Sequence, residues 1–217
     1  MTIQQYTSTS RSPQEHRFFK HELGNDLSLL TKELQDRYTQ ISEATIPGVT
    51  PVGVDDQAWK DSNSISTMKW SQYNVFQFHI PGIRELYKAV SQMTHEACDY
   101  YEIDFDSQQF MLQGWFNINH SKSGKLDWHE HSPNGAPFFH GYYSVSAEPS
   151  STHYRTSSGN KINENKNNEA ILSEMGHPHA QGDWSWDGPR ITVAYDVLPL
   201  SILLDHPEEE QHWIPLG

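Results

Sequence analysis

Apolar positions recur along this chain with two different periods, and the change falls near residue 110. Between Asn25 and Ile41, in "NDLSLLTKELQDRYTQI", Leu27, Leu30, Leu34, Tyr38 and Ile41 follow one another at intervals of three and four. That spacing predicts an amphipathic helix, with Asn25 or Asp26 as its cap. In "PGIRELYKAVSQMTHEACDYY", Ile83, Leu86, Tyr87, Val90, Met93 and Ala97 lie along one face, and Pro81 stands near the start of a second helix. From Phe110 the period becomes two: in "FMLQGWFNINH", Trp115, Asn117 and Asn119 face one way and Phe116 and Ile118 the other. "FFHGYYSVSA" and "RITVAYDVLPL" also read as strands. The polar, Asn-rich stretch "RTSSGNKINENKNNEAILSEMG" between them is expected to be a long surface loop or lid. Residues Trp70 to Phe78 fit a short edge strand or an extended loop.

These elements place two helices ahead of an antiparallel β unit, within a single domain over residues 1–217. Residues 1–109 form the helical and loop support, 110–200 the β core, and 201–217 an acidic, solvated tail. Aromatic residues make up 12% of the chain within a hydrophobic fraction of 35%, a balance that suits a mainly β fold. The net charge of −13 argues against binding nucleic-acid polymers, which requires clustered Lys and Arg, and against an anionic membrane surface. Cys98 is the one cysteine, so neither an intramolecular disulfide nor a thiolate metal site is available. The opening residues lack the apolar run of a signal peptide and no stretch is long enough to span a bilayer, so a cytoplasmic setting is the expectation. Composition leaves a homodimer open.

The chemistry concentrates in "LDWHEHSPNGAPFFHGYYSV", Leu126 to Val145. His129 and His131 are two apart, which on a strand turns both imidazoles to one face. A third ligand has to come from a distant strand, and "MGHPHAQGDW" offers His177 and His179. Imidazole suits Zn, Fe, Cu or Ni, so ligand type does not name the metal. His140, inside "FFHGYY", reads as a packed strand residue. Eleven residues past His179 comes Arg190, with Thr192 on the same face. An Arg on an apolar strand needs a partner. That partner is either a structural Asp such as Asp187 or a bound carboxylate, gripped bidentately with help from the Thr192 hydroxyl.

The ordered run "WFNINHSKSGKLDWHEHSPNGAPFFHGYYSVSAEP", then "HAQGDWSWDGPRITVAYDVL", resembles the 2-oxoglutarate- and Fe(II)-dependent oxygenase superfamily, and within it the small bacterial and phage 2OG-Fe(II) oxygenases. The resemblance covers roughly Phe110 to Pro199. It implies a double-stranded β-helix (jelly-roll) core, with Fe(II), 2-oxoglutarate and O2 as cofactor and co-substrates. It also implies an oxygenase or hydroxylase acting on a peptide or protein side chain or on a small metabolite. By position, His129, His131 and His179 would hold iron, and Arg190 with Thr192 would bind the far carboxylate of 2-oxoglutarate. Tyr143 or Asn117 would point into the barrel and support the co-substrate. The superfamily pattern is His-x-Asp/Glu…His, and here His131 stands where the carboxylate belongs. Asp127 and Glu130 are the fallback carboxylate ligands. A neutral third ligand leaves the iron more positively charged than a carboxylate would. Two rivals remain: a cupin-like three-histidine dioxygenase that needs no keto acid, and a non-catalytic barrel that binds without turnover.

Overall fold

In the computed structural model, residues 16–43, 64–67, 73–120, 127–131, 138–174, 176–205 and 212–217 are described. The chain runs β1 (Phe19–Glu22), α1 (Leu27–Glu43), β2 (Ser64–Ser66), a single 3-10 turn (Val75–Gln77), α2 (Ile83–Tyr101) and α3 (Phe105–Gln108). It continues through β3 (Phe110–Asn119), β4 (Phe139–Ser146), β5 (Ser150–Thr156), β6 (Gly159–Asn165), β7 (Glu169–Glu174) and β8 (His179–Gln181). Last come β9 (Arg190–Pro199), α4 (Leu200–Asp205) and β10 (Ile214–Pro215).

Two antiparallel sheets face each other. The larger has the order β1-β7-β4-β9-β3-β10, with β2 also paired to β3; the smaller is β6-β5-β8. The period-two alternation read from the sequence divides the larger sheet into two faces. Phe116, Ile118, Tyr143, Leu172, Val193, Tyr195 and Val197 pack against Leu30 and Leu34 of α1 and Leu86, Val90 and Met93 of α2 in one core. The other face looks toward the smaller sheet, and there Trp115, Tyr142, Tyr154, Ile171 and Ala194 form a second, smaller cluster. This is a mainly β, jelly-roll arrangement with the helices on one side. Both helices form where the spacing placed them, and the Asp26 carboxylate accepts hydrogen bonds from the Ser28 and Leu29 amides at 3.0 and 3.1 Å, capping α1. Among the described residues, no helix is long and apolar enough to cross a membrane.

Three expectations change. Residues 201–217 are not simply a solvated tail: Leu203 of α4 is buried, β10 pairs with β3, and Leu216 packs in the main core. The Asn-rich stretch from Arg155 to Gly176 is largely strand, not a loop or lid: it ends β5, forms β6 and supplies β7. Its polarity reflects an interior lined with polar groups. Asn163 and Asn165 are buried, and they bracket the Tyr142 hydroxyl, which donates to Asn165 Oδ1 at 2.6 Å and accepts from Asn163 Nδ2 at 2.8 Å. Within Tyr73–Phe78 there is a 3-10 turn and no strand. It is capped by Asn74, whose side chain accepts from the Phe76 amide; residues 70–72 lie outside the described residues.

Candidate metal centre

The pairing of β3, β4, β7 and β9 brings one polar row together on the inward face. Asn119 lies opposite Arg190, Asn117 opposite Thr192, Ser144 opposite Thr192, and His140 opposite both Asp196 and Ser173. The smaller sheet supplies the facing wall. Tyr154 of β5 pairs with His179 of β8, and His179 pairs in turn with His129 through two backbone bonds of 3.0 and 2.8 Å. Residues directly opposite on an antiparallel ladder share a face, so Tyr154, His179 and His129 all present their rings to the interior.

His129, His131 and His179 converge, with one ligand atom from each lying within 4.8 Å of the others. Ring centroids are 4.3 Å apart for His129 and His179, 5.3 Å for His129 and His131, and 5.2 Å for His131 and His179. What each Nδ1 touches fixes the tautomers. His129 Nδ1 lies 2.7 Å from the Asp127 carbonyl, and His179 Nδ1 lies 3.3 Å from the His177 carbonyl. A carbonyl can only accept, so both Nδ1 atoms carry the proton. His131 Nδ1 lies 3.1 Å from the Asp196 carboxylate, which also only accepts when ionised. His129 and His179 therefore turn a bare Nε2 lone pair inward, and His131, held by Asp196, does the same in its neutral form. This is the arrangement in which metal-ligating histidines are held by outer partners.

Asp196 is the residue the sequence reading did not single out. Its Oδ2 accepts from His131 and its Oδ1 from His140 Nδ1 at 2.7 Å. Burial would raise its pKa, but the charge and hydrogen bonds of His131 and then His140 prevail and hold the carboxyl well below the usual range. Burial likewise lowers the His131 pKa, yet the Asp196 charge and hydrogen bond outweigh it and leave it raised. His140 falls to about 4, through burial first and then the nearby His131. His179 and His129 are also lowered, each mainly by burial, so at neutral pH they stand uncharged and ready to coordinate. Trp115 lies flat against His131, with centroids 5.5 Å apart and planes within 8°. The only sequence signal for Asp196 was parity, since Arg190, Thr192 and Asp196 are separated by even numbers on one strand.

Several proposed residues take different positions. The side chains of Asp127 and Glu130 are exposed and outside the cluster. The Asp127 carboxylate caps the Trp128 amide at 2.8 Å, and it is the Asp127 backbone carbonyl that meets His129. Tyr143 does not point into the barrel. It lies on the helix-facing side, bonded to Asn25 and Asn168, because it is one residue out of phase with His140. Tyr142 holds the inward place. His177 sits at the rim, where Nε2 is 3.6 Å from Glu174 Oε2, and a shallow recess is lined by His131, His140, Tyr154, Glu174, His177 and His179.

Arg190 is 2% exposed, and its Nε has no hydrogen-bond partner. Among the described residues it forms no salt bridge, so Asp187 is not its counter-ion. Burial lowers its pKa to about 10, which leaves it charged at neutral pH. Thr192 and Asn117 are buried beside it on the same face at 3% and 6% exposure. A buried, charged and incompletely bonded guanidinium calls for an anionic partner.

A scan against protein-family models finds no match, and neither does a search of curated proteins. Solved structures do match. A prolyl hydroxylase from Trichoplax adhaerens, in complex with a hypoxia inducible factor oxygen degradation domain peptide fragment, aligns at TM-score 0.55 and 11% identity, covering 85% of this chain and 84% of that one. A Pseudomonas putida prolyl-4-hydroxylase aligns at TM-score 0.54 and 9% identity over 84% and 93% of the two chains. The epimerase SnoN, in complex with Fe3+, alpha ketoglutarate and nogalamycin RO, aligns at 0.53 and 8% identity over 84% and 78%. At these identities the likeness is one of fold, and that fold is the double-stranded β-helix on which these enzymes are built.

Proposed function

We propose that this chain is a non-haem Fe(II)- and 2-oxoglutarate-dependent oxygenase that binds its metal through His129, His131 and His179. The observation that supports it best is the set of three imidazoles whose Nδ1 atoms are all engaged by outer partners and whose ligand atoms lie within 4.8 Å of one another. The donor set suits iron among other imidazole-binding ions, and the buried Arg190, whose Nε has no partner, supplies the second requirement, an anion site on the same face. When bound, iron with 2-oxoglutarate and O2 supplies the chemistry that couples oxidative decarboxylation of the keto acid to oxidation of a second substrate.

The residues of the chain do the rest. Arg190 binds the far carboxylate of 2-oxoglutarate, and Thr192 and Asn117 offer hydrogen bonds beside it. Tyr142, pinned by Asn163 and Asn165, forms a fixed part of the wall. Asp196 holds the His131 Nδ1 proton and places one negative charge directly behind a neutral ligand set. That charge does the work of the carboxylate that the usual triad carries at the metal itself. The cage dry enough to pull His140 and His179 below their ordinary pKa also keeps bulk water from the reacting groups. The substrate class is a peptide or protein side chain or a small metabolite. The matched structures include one of each kind, a peptide complex and a nogalamycin complex.

Anaerobic titration of the Fe(II)-loaded protein with 2-oxoglutarate tests the proposal. A weak visible charge-transfer band should grow with the keto acid, and Arg190→Ala should need at least about tenfold more of it, as expected when a buried charge-assisted pair is lost. A fully iron-loaded protein with no such band would favour a three-histidine dioxygenase that uses no keto acid.

A further inference from the structure

We propose that His16, Glu174 and His177 form a second divalent-cation site, at the rim of the recess that His131, His140 and His179 line from within. One ligand atom from each of the three residues lies within 4.8 Å of the others. The set is two imidazoles and a carboxylate, which suits Zn(II), Fe(II), Co(II) or Ni(II) and not the all-oxygen preference of Mg or Ca.

Strand pairing explains why these residues meet. β1 runs antiparallel to β7 with Phe19 opposite Leu172, so three residues before Phe19 the chain passes the end of β7. Glu174 ends β7, Gly176 takes a left-handed φ of 87° in the turn, and His177 follows. His16 and His177 meet edge to face with centroids 4.7 Å apart.

His16 points to a ligand independently. It is 8% exposed, yet neither ring nitrogen has a hydrogen-bond partner. A buried imidazole with two unmet polar atoms carries an uncompensated desolvation cost at each. Coordination by one nitrogen removes one of these. His177 and Glu174 keep 19% and 31% of their side-chain surface exposed, which gives an ion a way in. Glu174 also neutralises one charge of the cation. The result is a clamp that ties the segment ahead of β1 to the turn before β8, and so fixes one side of the opening above His179.

The site is independent of the oxygenase reading, and one experiment separates the two. Zn(II) bound to the full chain at pH 7.5 is measured by equilibrium dialysis with elemental analysis, for the parent, His16→Ala, Glu174→Gln and His179→Ala. Near-ultraviolet circular dichroism checks that each is folded, and Glu174→Gln serves as the milder, rim-exposed variant should His16→Ala unfold. The parent should bind two equivalents. His16→Ala and Glu174→Gln should each lose one, and His179→Ala should lose the other. A parent that binds one equivalent, lost in His179→Ala and kept in both rim variants, overturns the rim site while leaving the three-histidine centre in place. One equivalent lost in both rim variants and kept in His179→Ala supports the rim site and sinks the three-histidine centre. One equivalent lost in all three variants overturns the existence of two separate sites.

Discussion

Replacing Asp196 with Asn keeps the shape of the side chain and removes its charge and half of its accepting capacity. The carboxylate now accepts two Nδ1–H bonds, at 3.1 Å from His131 and 2.7 Å from His140. An amide offers one oxygen and one NH2, so it can accept from only one of the two rings. The shorter bond favours His140 keeping the oxygen. The NH2 group then faces His131 Nδ1, which must become an acceptor and shift its proton to Nε2, the atom meant for the metal. Restoring the ligand requires either the wrong tautomer to convert or the ring to lose its outer partner. Removing such a partner typically weakens metal binding by about 10–100-fold, which corresponds to about 1.4–2.7 kcal/mol. Anaerobic calorimetric titration with Co(II) would give the affinity, and the visible Co(II) spectrum would show whether a nitrogen ligand is lost or displaced. Asp196→Asn should bind in that weakened range with an altered spectrum. Affinity within twofold of the parent, with an unchanged spectrum, would refute the role assigned to Asp196. An effect limited to stability, with metal binding intact, would make it a packing residue.

Other outcomes follow from the same geometry. Tyr142→Phe should weaken 2-oxoglutarate binding or coupling, measured by succinate formed per O2 consumed, because it frees Asn163 and Asn165 on the inward wall; Tyr143→Phe should leave both unchanged and cost about 1 kcal/mol of stability in urea unfolding. Gly141→Ala should destabilise the fold by about 3 kcal/mol, since an added Cβ would lie 2.1 Å from the Ile171 carbonyl oxygen and 2.4 Å from the Tyr195 ring. The metal-free protein should lose stability in acid between about pH 6.5 and pH 4. His16 and His140 stay neutral in the fold down to about 4 while the unfolded chain takes up protons from about 6.5, so each drop in pH through that window favours unfolding. Urea midpoints measured across that range check it, and a flat profile would contradict it.

What the sequence made legible is what periodicity can carry. The helices from Leu27 and Ile83 and the strands from Phe110 and Arg190 each expose one apolar face, and a face of constant period is visible without knowing its partner. The stretch from Arg155 to Gly176 was misread because its strands bury polar side chains. Asn163 and Asn165 sit where a hydrophobic residue would have signalled β structure. Tyr143 was placed inward by choosing the wrong member of a Tyr-Tyr pair, a one-residue error that reverses a strand's faces. His129, His131, His179 and Arg190 were legible because their spacing survives without the fold. His16, Glu174 and Asp196 were not: they meet the histidines only through the pairing of β1 with β7 and of β4 with β9.

Asp196 also alters what the missing carboxylate means. On the sequence, His131 in the carboxylate position left a divalent ion among three neutral ligands, and the nearest acids, Asp127 and Glu130, looked like the remedy. Both are solvent-facing, where a charge is screened and contributes little to a buried ion. The Asp196 side chain is only 14% exposed, and its charge reaches the centre through the ring of His131. An aspartate bound directly to the metal gives up a coordination position to carry its charge; one behind a histidine delivers the charge and also sets the tautomer of the ligand in front of it. If His129, His131 and His179 hold the metal as proposed, a carboxylate moved outward by one side chain would preserve the electrostatic requirement of the site while changing the identity of the third ligand. On the proposed metal assignment, this is how a His-x-His pair would serve where the resembled superfamily carries His-x-Asp.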